Sequence, residues 1–265
     1  ANHNPKHSVL MGVQEFNKLP REKTPDELFD LDILDGSPPC STFSTAGLRE
    51  KAWGQEKHFR EGQAKQVLDD LFFEFIKIAN ILKPKIVVAE NVKGLIQGNA
   101  KGYVKMIADQ FDAAGYDVQL FLLNSAFTGV PQRRERTFFV ARRKDINLKK
   151  LELNFTENPP PLSSVFAGSV IKGKQKFSSR RFADSKVSMS KPILTITTMG
   201  RFFLDDENQL NDKTIIRCQS FPDDYNFLNQ ESKYMCGMSV PPFMMQRVAN
   251  QIAYQWFGKK ELISG

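Results

Sequence analysis

Apolar runs and helical patterns alternate along the first half of the chain, and that rhythm constrains the fold more than any other feature. The runs Leu31 to Leu34, Ile86 to Ala89, Val118 to Leu122 and Thr137 to Ala141 are separated by helical periodicities from about Gly62 to Leu82 and from about Tyr103 to Ala114. Short strands spaced by helices predict an α/β architecture, with parallel pairing and right-handed crossovers. In open sheets of that kind ligands sit beyond the carboxyl ends of the strands. The chemically distinctive residues fall there. Cys40 follows the first run, Glu90-Asn91-Val92 follows the second, and Gln132-Arg133-Arg134-Glu135-Arg136 precedes the last, beside the loop Gly129-Val130-Pro131.

From about Lys144 to Lys191 the texture changes. Pro159-Pro160-Pro161, many serines and the basic stretch from Lys172 to Arg181 replace any fixed apolar period, which predicts a loop-rich, largely β or irregular region. Its Lys174, Lys176, Arg180 and Arg181 would lie on phosphates or simply form a solvated face. Beyond it, Ile193 to Thr198 alternates as a strand, and Phe243 to Phe257 carries apolar positions at helical spacing. The expected domains are 1–143, a catalytic α/β domain, 144–232, a small target-recognition domain, and 233–265, a carboxy-terminal helix returning to the first.

A chain of 265 residues with 41% hydrophobic content can bury one large core, or one large and one small, which excludes a disordered chain. No apolar stretch is long enough to span a membrane and no signal-peptide pattern opens the chain, so a cytoplasmic or nucleoid-associated protein is expected. The three cysteines, 40, 218 and 236, form no CxxC pair and are odd in number, which argues against a disulfide framework or a zinc site. The three histidines show no metal-ligand spacing, so no metal is expected. The net charge of +7 suits a polyanionic partner without demanding one.

Gly36-Ser37-Pro38-Pro39-Cys40-Ser41-Thr42-Phe43-Ser44 puts a cysteine behind two prolines at the end of a strand. A Pro-Pro step fixes φ twice and pushes Pro38 to extended geometry, so the backbone aims the sulfur. On this segment alone Cys40 is equally a nucleophile and a small apolar filler. A helix-capping role is the lesser alternative for Glu90, and a plain surface face the lesser one for the Arg133, Arg134 and Arg136 cluster.

Taken together these motifs resemble the C5-cytosine DNA methyltransferases, in the family's order and over nearly the whole chain. Residues 36–44 resemble its Pro-Cys nucleophile loop, Glu90-Asn91-Val92 its Glu-Asn-Val motif, and Gln132-Arg133-Arg134-Glu135-Arg136 its Gln-x-Arg-x-Arg motif. Gln219-Ser220-Phe221-Pro222 and Gly237-Met238-Ser239-Val240 resemble its later blocks. The resemblance implies a Rossmann-like S-adenosylmethionine-dependent methyltransferase fold acting on double-stranded DNA, with Cys40 adding to C6 of a flipped-out cytosine. Glu90 would protonate or hydrogen-bond N3, Arg136 and Arg134 would hold O2, and Asn91 would shape the nucleophile loop. Pro39, Leu71, Ser239 and Val240 match the cofactor wall. Ser41, Thr42 and Ser44 would touch the phosphate backbone. The same residues would serve a tRNA cytosine.

The departures carry expectations of their own. The family's opening Phe-x-Gly-x-Gly turn for the cofactor, and the acid that follows it, do not occur before Cys40, and Met238 replaces an asparagine. The amino-terminal part of the cofactor domain is expected to be absent from this sequence. A catalytically impaired DNA-binding relative, or dependence on a second polypeptide carrying that turn, is therefore the competing expectation.

Overall fold

A computed structural model describes residues 2–38, 56–57, 66–67, 70–97, 101–173, 175–181 and 183–259. The chain forms two compact units, one built from residues 7–123 and 136–150, the other from residues 1–6, 124–135 and 151–265.

The first unit is organised by a sheet of β1 (Ile33–Gly36), β2 (Ile86–Val92), β3 (Tyr116–Asn124) and β4 (Glu135–Arg143), in the order β1-β2-β4-β3. Helices α1 (Leu71–Leu82) and α2 (Lys101–Ala113) precede β2 and β3. In α1 the residues Phe72, Phe75, Ile76, Ala79 and Leu82 recur every three or four positions and are buried. The helix stops where Lys83 turns left-handed, at φ 51°, ahead of Pro84. Side chains alternate across a strand, so Val87 and Ala89 of β2 and their register partners Ala141 and Phe139 of β4 share one face. That face meets Phe72, Phe75, Ile107 and Phe111 of the two helices in a single core. Phe72 stands edge-on to Phe139 with ring centroids 5.2 Å apart. Gly36 is required by close approach, since a Cβ there would lie 2.5 Å from the Phe75 ring.

β1 and β2 are parallel, as the rhythm predicts, but β4 runs antiparallel to β2 with Glu90 opposite Phe138 and Val92 opposite Arg136. The expectation of uniformly parallel pairing is corrected here. A parallel crossover needs about a dozen residues or more, and only the ten residues 125–134 lie between β3 and β4, so β4 cannot follow β3 in the same direction.

In the second unit β5 (Val170–Lys172), β6 (Asp184–Lys186), β7 (Arg201–Phe203) and β8 (Asn208–Leu210) form a small sheet in the order β5-β8-β7-β6. Helices α3 (Asp212–Cys218), α4 (Ser232–Met238) and α5 (Pro242–Phe257) follow. Leu162, Ile193, Ile196, Phe202, Leu210, Ile215, Cys218 and Cys236 make its core. α3 starts at Asn211, whose side chain accepts from Thr214 N at 2.8 Å. In α5 the buried positions Met244, Val248, Ile252 and Trp256 recur every fourth residue.

The strand expected over Ile193 to Thr198 is shorter than its alternation suggests. Ile193–Leu194 pairs in parallel with Gln132–Arg133 and the ladder then ends. Beyond it the Ile196 N–H donates to Gln132 Oε1 at 2.9 Å, and the Ile196 carbonyl accepts from Arg134 at 2.7 Å. Side chains satisfy the backbone groups that a longer ladder would have used. Among the described residues no helix is long and apolar enough to cross a membrane.

Candidate active site

Within the first unit Glu90, Asn91 and Arg136 come together with Ser37 and Pro38. Glu90 lies at the carboxyl end of β2 and is buried. Its carboxylate accepts from the Ser37 hydroxyl through one oxygen and from Arg136 Nε at 2.9 Å through the other. The two side chains of that ion pair are only 11% and 12% exposed, so it is held out of bulk solvent. Burial lowers the Arg136 pKa and the neighbouring Glu90 charge opposes that. A guanidinium stays charged regardless.

Asn91 points to the opposite side. Its Nδ2 donates to Pro38 O at 3.0 Å and its Oδ1 accepts from Val92 N at 2.9 Å. Thr137 Oγ1, on the neighbouring strand, reaches the Asn91 and Val92 carbonyls at 3.1 and 2.9 Å. The last described carbonyl before the Pro39-Cys40 step is thus tied to the strand that carries the acid. Pro39, Cys40, Ser41, Thr42, Ser44 and Lys174 lie outside the described residues. Leu71, the first residue of α1, is buried at 5% exposure.

Arg134, Ser239 and Val240 belong to the second unit. Arg134 is a buried side chain that donates to Ile196 O at 2.7 Å and Gly237 O at 2.8 Å. Two glutamines, both fully buried, link three of the motifs. Gln132 Nε2 donates to Gln219 Oε1 at 2.6 Å and to Cys218 O at 3.3 Å, and Gln219 Nε2 donates to Ser239 O at 2.9 Å and Oγ at 3.1 Å. Gly237 has to be glycine, because a Cβ there would collide with the Thr198 backbone nitrogen. Lys176, Arg180 and Arg181 are exposed, and Lys176 pairs with Glu207 at 3.1 Å. Lys186 pairs with Asp206 at 2.7 Å on the same small sheet.

Sequence reasoning assigned no role to Ser37, Thr137, Gln132 or Gln219. Ser37 left no signal of its own, since the contact that brings it to the acid spans 53 positions. The glutamine pair spans 87 positions and leaves no local signal.

Among the described residues, a strand paired in parallel with β2, a reversed β4 on its other side and helices packed on the sheet make a Rossmann-like arrangement. Solved structures share it. A putative DNA modification methyltransferase encoded within an Escherichia coli prophage superimposes with a TM-score of 0.65 at 15% identity, covering 86% of this chain and 80% of that one. A Spodoptera frugiperda DNMT2 mutant gives 0.61 at 17% identity, covering 90% and 87%. By sequence, residues 7–198 match the C-5 cytosine-specific DNA methylase family, and the chain belongs to that family.

Among curated relatives, type II methyltransferase M.NgoPII of Neisseria gonorrhoeae is 35% identical over 153 residues, 56% of this chain and 38% of that protein. M1.HphI of Haemophilus parahaemolyticus is 26% identical over 263 residues, 84% of this chain and 68% of that protein. The chain thus spans well under half the length of M.NgoPII and of type II methyltransferase M.FnuDI of Fusobacterium nucleatum.

Proposed function

We propose that this chain is a DNA cytosine-5 methyltransferase that works through a covalent bond between Cys40 and C6 of a flipped-out cytosine. The observation that carries the reading is the buried Glu90 carboxylate, held between the Ser37 hydroxyl and Arg136 beside the loop that leads to Cys40. C5 of cytosine is a weak nucleophile, so the ring is first activated by thiolate addition at C6. The new S–C bond pushes electron density toward N3, where the Glu90 carboxyl donates a proton. Arg136 stabilises the developing charge at O2, in a site dry enough for that charge interaction to count. Loss of the C5 proton to solvent after methylation then expels the Cys40 thiolate, and return of the N3 proton to Glu90 restores the aromatic ring.

S-adenosylmethionine supplies the methyl group when bound. Leu71, Pro39, Ser239 and Val240 are the residues of this chain proposed to pack on it. Buried Leu71 suits the apolar part of such a ligand, and none of the four offers a charged contact for its ribose or its amino-acid end. On this reading residues 144–232 act as the target-recognition part, with Lys174, Lys176, Arg180 and Arg181 against phosphates, and Ser41, Thr42 and Ser44 contact the strand carrying the target base. Duplex DNA is the proposed partner.

The test uses a duplex carrying 5-fluorocytosine, with S-adenosylmethionine present, and a denaturing gel to detect the adduct. The adduct should form with the wild type and vanish in Cys40→Ala. Glu90→Gln should lower methyl transfer by about 10²-fold or more, the range of a general acid. An adduct that survives Cys40→Ala removes the nucleophile from the mechanism. Duplex binding without any adduct makes the chain a DNA-binding relative, and an adduct on folded RNA alone moves the substrate.

A further inference from the structure

We propose that Asp35 is a positioning residue acting through Glu90: the two carboxyls form a coupled pair on one face of the sheet, and Asp35 helps Glu90 keep a proton against the pull of Arg136. This rests on the reading of Glu90 as the acid.

The placement follows from register. Asp35 pairs with Val88 and Gly36 with Ala89 in the parallel β1–β2 ladder. Side chains alternate, so Asp35 and Ser37 share a face with Val88 and Glu90. The Ser37 hydroxyl bonded to Glu90 marks that face, and Gly36 against the Phe75 ring marks the other. Ionisable groups therefore flank Glu90 on both sides, Arg136 in an ion pair from β4 and Asp35 at the diagonal position on β1. Asp35 has no cationic partner among the described residues. Protein crowded around its carboxyl raises its pKa although the residue keeps exposed surface, the Gly36 amide works against that, and the Glu90 charge raises it further.

Coulomb coupling is reciprocal, so whatever Glu90 does to Asp35, Asp35 does to Glu90. Diagonal neighbours on adjacent strands stand about 7 Å apart. At that separation, and an effective dielectric constant of about 40–80 for a partly exposed pair, one charge moves the other's midpoint by about half a unit to one unit. A carboxyl that must give a proton to N3 has to hold it first. The Arg136 contact favours the carboxylate, and a second carboxyl on the same face counteracts it.

The experiment is a pH titration of side-chain carboxyl resonances in the full chain, with Asp and Glu carbons labelled and Glu90→Gln and Asp35→Asn used to assign both signals. Asp35→Asn, nearly isosteric, should move the Glu90 midpoint down by about half a unit to one unit, and Glu90→Gln should move the Asp35 midpoint down likewise. The alkaline limb of methyl transfer should shift by the same amount in Asp35→Asn. Midpoints that stay in place in both variants overturn the coupling, even if Glu90→Gln is inactive. Near-normal turnover of Glu90→Gln removes the acid itself, even if the midpoints move.

Discussion

Replacing Gln132 by leucine should destabilise the protein far more than a change of one side chain of similar size ordinarily does. Leucine fills much of the same space, so little of the cost comes from a cavity. It comes from three groups that lose their partner at once: the Ile196 N–H, the Gln219 Oε1 and the Cys218 carbonyl. A buried polar group left unpaired costs about 1–3 kcal/mol. The Cys218 contact is long, at 3.3 Å, and counts for least. Two good bonds lost in a fully buried setting then give about 3–5 kcal/mol. For a chain of this size that is a fall of roughly 6–20 °C in melting temperature. Circular dichroism melts of Gln132→Leu beside Arg133→Leu make the comparison internal, because Arg133 is the exposed neighbour and its replacement should stay within about 0.5 kcal/mol. If Gln132→Leu melts no lower than Arg133→Leu, the glutamine network does not bear on stability and the reasoning fails.

The cysteines should separate by reactivity: burial pushes the Cys218 and Cys236 thiols up to about 12, so at pH 8 neither should react with an aromatic disulfide reagent until urea is added. Rapid labelling of either in the native protein would show that the second unit's core opens readily. Duplex binding followed by anisotropy across a salt series should lose roughly 2–3 in the log–log salt slope when Lys176, Arg180 and Arg181 are all changed to glutamine. An unchanged slope would mean that the phosphates lie elsewhere.

The sequence made the first unit legible because its signals are local. The run Ile86 to Ala89 grew into β2 through Val92, and the periodicity from Tyr103 to Ala114 became α2, which starts two residues earlier and ends one earlier. The reversal of β4 was hidden, since direction depends on how many residues join it to β3 rather than on anything within either strand. The three-residue strands of the second unit are too short for an alternation to show. At the candidate site the acid, the amide and the arginine stood out as motifs. Ser37 and Asp35 did not, because only the β1–β2 register sets them beside Glu90. Thr195 to Thr198 misled by alternating correctly while the Ile196 backbone was claimed by Gln132 and Arg134.

The interleaving of the two units has a consequence for the order in which the molecule can be completed on the ribosome. The first unit is fully synthesised once residue 150 has been made, and its sheet can close then. Residues 124–135, made earlier, belong to the other unit, and Gln132 meets Gln219 only 87 residues later. From residue 150, where the sheet can close, to residue 219 is 69 positions, and at about 5–20 residues per second that is a wait of roughly 3–14 s. During it Gln132 and Arg134, both buried in the finished protein, stay in water between two strands that have already paired. A nascent chain released before Gln219 would keep the acid and Arg136 in a closed sheet and leave the adjoining ribbon unanchored.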